Sequence, residues 1–195
     1  MTAATEPPPV PPTPPARVSS ALAIAIFTLV AFACATPTDS SHWPEPLSPG
    51  SAVLFSHNQL VIDASCAEIW SFLVAAPKWP QWYANASNVR IGDDAGHLLE
   101  KGSAFTWTTF GIAVRSQVRE FEPPVRLAWY GEAEQMTAYH TWLLRPLPTG
   151  CSVVTEETNN GPGAIALRRD KPEAIHDGHA QWLAQLKAIS ERKSY

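Results

Sequence analysis

The sequence predicts an α+β fold on three observations. A first strand leads into two short helices, about six strand-like segments then run in one block closed by a long C-terminal helix, and no glycine-rich phosphate loop follows any strand. Val53–Ile62 reads as the first strand and ends at Asp63-Ala64-Ser65. Ser65 is placed to cap a helix that opens Cys66-Ala67-Glu68, with Glu68 three residues on as in a capping box. Ile69, Trp70, Leu73 and Val74 recur at helical spacing until Pro77 stops the run, and Trp79–Tyr83 reads as a short second helix or turn.

Alternation then takes over. Ile112, Val114, Ser116 and Val118 share one face of a strand whose other face carries Arg115, Gln117 and Arg119. Pro123-Pro124 turns the chain, after which Leu127 and Trp129 alternate with Arg126, Ala128 and Tyr130. In the next strand Ala138, His140, Trp142 and Leu144 face one way, and Pro148-Thr149-Gly150 leads into a last strand over Cys151–Thr158. The tail predicts a long helix capped by Asp170, with Pro172 in its first turn and a stripe of Ile175, His179, Trp182, Leu186 and Ile189.

The folded part is expected over residues 51–195. Before it lie three segments of different composition. Residues 1–20 are Pro-rich and read as disordered; residues 36–50 read as a Pro/Ser linker. Between them Ala21–Ala35 is an apolar run of a length that suits the core of a signal peptide and is short for a membrane span. A cleaved signal peptide, an uncleaved transmembrane anchor, a lipoprotein attached through Cys34 and a buried core helix are the readings it allows. Arg17 before the run favours an exported or membrane-anchored protein whose domain is extracytoplasmic, with the membrane as a partner if the run is retained.

Fourteen basic against eighteen acidic residues give a net charge of -4 with no basic run, which excludes the electrostatic footprint of a nucleic-acid binder. No G-x-S-x-G elbow supports serine hydrolysis, and no cofactor is expected. Glu173, His176 and His179 lie three apart on the last helix, but no further ligand accompanies them, so no metal is expected. Eight Trp in 195 residues are many. They either fill a core or wall a cavity, and composition leaves both open.

The order of elements resembles the SRPBCC superfamily, which includes START domains, pollen-allergen-like proteins and polyketide cyclases/dehydrases. The motifs that carry the likeness are Ile62-Asp63-Ala64 with Glu68-Ile69-Trp70, Trp79-Pro80-x-Trp82, Gly102-x-x-Phe105-x-Trp107 before Gly111, and Pro124-x-Arg126-Leu127-Ala128-Trp129. They continue with His140-x-Trp142, Thr155-Glu156-Glu157 with Gly161, and Trp182-Leu183-x-x-Leu186-Lys187. The resemblance spans Val53 to Glu191 and implies a helix-grip fold, a curved antiparallel sheet wrapped around the C-terminal helix with a ligand cavity between them.

The expected ligand is therefore a small hydrophobic molecule or lipid. Trp82, Phe105, Trp107, Trp129, Trp142 and Trp182 are the expected apolar binding residues, with His140 and Glu157 as polar ones. Glu157 is preferred over Glu156 because it matches the Glu before the Gly in that family; a one-residue change of register would exchange them. His140 and Glu157 are equally candidates for acid/base catalysis in a cyclase/dehydrase-like enzyme, or for a satisfied buried pair. A protein-interaction domain with a filled cavity is the remaining alternative. In a helix-grip sheet the first and last strands are neighbours, so Cys66 and Cys151 are expected to form a disulfide if the domain reaches an oxidising compartment, and to stay as thiols otherwise.

Overall fold

The structure is a computed structural model that describes residues 42–92 and 97–192. The chain enters through strand β1 (Leu54–Ile62), then helix α1 (Cys66–Val74) and a 3-10 turn over Ala76–Gln81. Ser65 accepts a hydrogen bond at Oγ from the Glu68 amide, 3.2 Å away, which satisfies one of the free donors at the start of α1. Six strands follow: β2 (Ala86–Ile91), β3 (Ala104–Thr109), β4 (Ile112–Glu122), β5 (Arg126–Ala133), β6 (Met136–Pro146) and β7 (Cys151–Asn160). Helices α2 (Pro162–Asp170) and α3 (Ala174–Ser190) complete the chain.

All seven strands form one antiparallel sheet in the order β1-β7-β6-β5-β4-β3-β2. The sheet curves, and α3 packs along β1 and α1 on its concave side: the helix-grip arrangement. The period-2 pattern sets the faces. Phe105, Trp107, Val118, Leu127, Trp129, Trp142, Leu144 and Val153 are buried against Ile69, Leu73, Trp79, Trp182 and Leu186 from the helical elements. Each large apolar side chain so buried contributes roughly 1.5–3 kcal/mol, which makes this layer the main stabilising feature.

Cys66, at the first residue of α1, is joined to Cys151, the first residue of β7, with Cα atoms 5.2 Å apart. Ile62 pairs directly with Cys151 in the ladder, which is what brings the two sulfurs together. The preceding turn leaves no room for a side chain: a Cβ on Gly150 (φ +83°) would lie 2.2 Å from the Ile62 carbonyl oxygen.

The structure departs from the sequence reading in three places. The tail contains two helices where one was expected. Asp170 ends α2 and bonds its neighbour Arg169, while Glu173 precedes α3 without a side-chain cap. Pro172 breaks the pattern between them, since its ring cannot continue the α2 ladder. Second, residues 42–50 are not a free linker. Trp43 packs against Tyr139 at 5.7 Å between ring centroids, Leu47 is buried with Ala128 and Tyr139, and Thr158 Oγ1 donates to the Leu47 carbonyl at 2.8 Å. Two apolar residues four apart cover an apolar strip on the convex face, a signal hidden by the surrounding Pro and Ser.

The third departure is the membrane-spanning expectation, which is overturned: among the described residues no helix is long and apolar enough to cross a membrane. The apolar run Ala21–Ala35 and the Pro-rich segment 1–20 lie outside the described residues.

Candidate functional site

Strand pairing places Glu157 on β7 directly opposite His140 on β6, and α3 lays His179 over both. His140 Nδ1 is 3.1 Å from Glu157 Oε2, a close approach that is nonetheless out of line for a hydrogen bond. His179 Nε2 is 3.4 Å from the same oxygen. The far nitrogen of His140, Nε2, is 2.7 Å from Thr155 Oγ1, and Asn159 Nδ2 donates to Glu157 Oε1 at 2.8 Å. Both imidazoles are almost fully buried, while Glu157 keeps 15% of its side chain exposed.

Burial decides the charges. Desolvation pulls His140 down to about 4, with Glu157 opposing the shift and His179 reinforcing it. For Glu157 burial alone acts upward, but the two imidazoles outweigh it and hold the carboxyl well below the usual carboxylate range. At neutral pH the pair is thus a carboxylate facing a neutral imidazole. Tyr83 is pushed up to about 12, first by burial, against the bond from Asn85 and with the Glu157 charge adding, so its phenol stays protonated.

These groups stand in the wall of a cavity of about 380 Å³ between the sheet and α3. The rest of that wall is mostly apolar, with Tyr83, Trp107, Trp129, Met136, Ile175 and Trp182 prominent in it. Tyr83 stacks on Trp182 with centroids 4.2 Å apart. At one side stands Phe110, at the tip of the β3–β4 hairpin, with φ 51° followed by Gly111 at φ 76°. Its ring leans on Gly178 of α3 so closely that a Cβ there would lie 2.2 Å from the ring tip.

The residues named from sequence divide. Trp107, Trp129, His140, Glu157 and Trp182 line the cavity. Phe105 and Trp142 point the same way but are spent in the core, and Trp82 lies elsewhere, beside Gln185 and Ile189. Glu173 and His176 are exposed, so they do not join His179. What sequence reading missed is the partner of His179. Its place in the apolar stripe of α3 marked it as inward, and the inward parity of His140 and Glu157 was the signal for the group it joins. Strand parity does not reveal which rings the helix covers, so filling and lining Trp look alike in sequence.

The profile of a family described as polyketide cyclase/dehydrase and lipid transport matches residues 57–191, every element from β1 to α3. The chain belongs to that family, within the SRPBCC superfamily. A hypothetical protein from Helicobacter pylori is 31% identical, with a TM-score of 0.72 over 80% of this chain and 99% of that one. Two remoter solved structures share the fold. A di-domain ARO/CYC protein from the steffimycin biosynthetic pathway has a TM-score of 0.60 at 14% identity, covering 72% of this chain and 52% of that one. A START superfamily protein from Mycobacterium smegmatis has a TM-score of 0.57 at 13% identity, covering 72% and 99%. No curated protein matches the chain.

Proposed function

We propose that the domain binds one small hydrophobic molecule or lipid between the sheet and α3, with the polar end of that molecule at His140, Glu157 and His179. The observation that carries this reading is a mostly apolar cavity of about 380 Å³ in which polar groups are gathered at one place. Ligand sites of roughly 300–1,000 Å³ are built in this way, with apolar walls for affinity and few polar groups for orientation. Trp182 Nε1, His179 Nδ1 and Asn159 Oδ1 belong to lining residues and have no hydrogen-bond partner among the described residues. Buried polar groups are ordinarily paired, so an amphipathic ligand gains bonds here that a pure hydrocarbon does not.

Acid/base catalysis by His140 is the weaker reading. A base pulled down to about 4 is poorly matched to proton abstraction at neutral pH, where an efficient base lies near 7. The disulfide supports export to an oxidising compartment, with the domain extracytoplasmic. Thiol labelling of the cell-derived protein checks that: the exported fraction is expected to carry no free thiol at Cys66 or Cys151, and free thiols at both contradict it.

Native mass spectrometry of the gently purified full chain, followed by denaturing release, tests the binding reading. The expected result is a reproducible lipophile at one equivalent that His140→Ala retains at reduced occupancy. A clean apo mass, with no rise in melting temperature across fatty acids and polycyclic aromatics, would overturn it. Turnover of the released molecule by the wild type, abolished by His140→Ala, would make the protein an enzyme instead.

A further inference from the structure

The two imidazoles and the carboxylate converge more tightly than a ligand's hydrogen-bonding head requires. One donor atom from each of His140, Glu157 and His179 lies within 4.8 Å of the other two. The two edges that meet at Glu157 Oε2 measure 3.1 Å to His140 Nδ1 and 3.4 Å to His179 Nε2. Zinc bonds to nitrogen and oxygen of about 2.0–2.1 Å at tetrahedral angles set neighbouring donors roughly 3.3–3.4 Å apart. We propose that His140 Nδ1, Glu157 Oε2 and His179 Nε2 bind a divalent transition-metal ion, with zinc the best fit to this donor set.

Three further observations point the same way. His140 Nδ1 approaches the carboxylate closely yet makes no aligned hydrogen bond with it. Such a nitrogen suits a shared third atom better than a direct N–H···O bond. Second, the other atoms of two ligands are already oriented. Thr155 Oγ1 engages His140 Nε2 at 2.7 Å, so Nε2 carries the proton and Nδ1 the free lone pair when a metal is bound. Asn159 Nδ2 holds Glu157 Oε1 at 2.8 Å and leaves Oε2 for the ion. Third, both imidazoles stand in a dry setting, their side chains 2% exposed each, where ligand exchange with bulk water is restricted.

The set comes from β6, β7 and α3, so the ion would tie the helix to the sheet across the cavity. Three protein donors leave a further position, and all three residues line the cavity. An oxygen of a bound molecule, carboxylate or carbonyl, is the donor that position takes. This chemistry is independent of whether the apolar part of the cavity is filled.

The full chain, stripped with a chelator, is titrated with Co²⁺ and then with Zn²⁺. The expected result is one equivalent of Co²⁺ giving the intense visible bands of a four- or five-coordinate site, bleached by one equivalent of Zn²⁺. Glu157→Gln and His179→Gln are each expected to weaken Zn²⁺ binding at least about 100-fold, and Thr155→Val by about 10-fold through the lost orientation of His140. Pale six-coordinate cobalt, or affinity that survives Glu157→Gln in a folded protein, would overturn the proposal and assign binding to surface histidines such as His57 or His176. Circular dichroism checks each variant. Where Glu157→Gln does not fold, the cobalt spectrum of the wild type with Thr155→Val decides: unchanged affinity in Thr155→Val contradicts the site.

Discussion

His140 stays neutral well below pH 6.5 because the fold keeps water from it. Its pull from 6.5 down to about 4 means that the unfolded chain binds a proton in a pH range where the folded one does not. The sign is therefore fixed: this contribution to stability is fully present above about pH 6.5 and is lost as pH falls toward 4. The size is on the order of 3 kcal/mol over that window. Glu157, held low, adds a further loss below the ordinary carboxylate range. Urea unfolding of the metal-free protein between pH 7 and 4 is expected to show this slope, and His140→Gln is expected to flatten it. Parallel pH profiles for the two proteins would contradict the buried neutral imidazole. At this scale strand parity made His140, Trp129 and Trp142 legible as inward residues. It did not separate lining from filling, because Trp142 and Phe105 are covered by neighbours that are remote in sequence.

Among the elements, the tip of the β3–β4 hairpin meets α3 where the Phe110 ring lies on Gly178. A methyl at Gly178 displaces the ring, a flexible side chain, while Ala gains about 1 kcal/mol of helix propensity over Gly. Gly178→Ala is thus expected to fold normally and to release a bound fluorescent fatty acid about tenfold faster, equivalent to about 1.4 kcal/mol of lost closure. An unchanged off-rate in stopped flow would show that Phe110 does not close the cavity. The covalent link between α1 and β7 acts on a larger loop. With its cysteines 85 positions apart in sequence, the chain-entropy account gives about 4–5 kcal/mol. Reduction, or Cys66→Ala with Cys151→Ala, is expected to lower the urea midpoint accordingly; an unchanged midpoint would contradict that contribution. Elements with strong periodicity were readable in order. The split of the tail into α2 and α3 was not, because Asp170 and Pro172 suit a helix start as well as a helix end.

In the whole molecule, the sheet has two covered faces. The concave one holds the aromatic core and the cavity; the convex one is crossed by residues 42–50. That strap also reaches a buried charged group: the His42 amide donates to Glu120 Oε1 at 3.1 Å, and Tyr139 Oη donates to the same oxygen at 2.9 Å. Burial, together with the Glu120 charge and bond, pushes the Tyr139 phenol far up. A chain beginning at Ser51 is expected to be about 2–4 kcal/mol less stable than one beginning at His42, from the exposure of the Leu47 strip and the loss of these bonds. Equal melting temperatures would show that the strap is ornamental. Composition concealed it, since Pro and Ser dominate the segment while two apolar residues do the packing.

A cavity between sheet and helix that takes one apolar molecule is tested most directly by filling it. Ala138 lies in its wall on the inward face of β6, two residues before His140 and opposite Asn159 of β7. The full chain and Ala138→Phe are titrated with a fluorescent fatty acid, with stability measured alongside. The account predicts one site in the wild type, at least about tenfold weaker binding in Ala138→Phe, and stability that holds or rises as empty volume is filled. Equal affinity in the two proteins, or no binding by either, would contradict it.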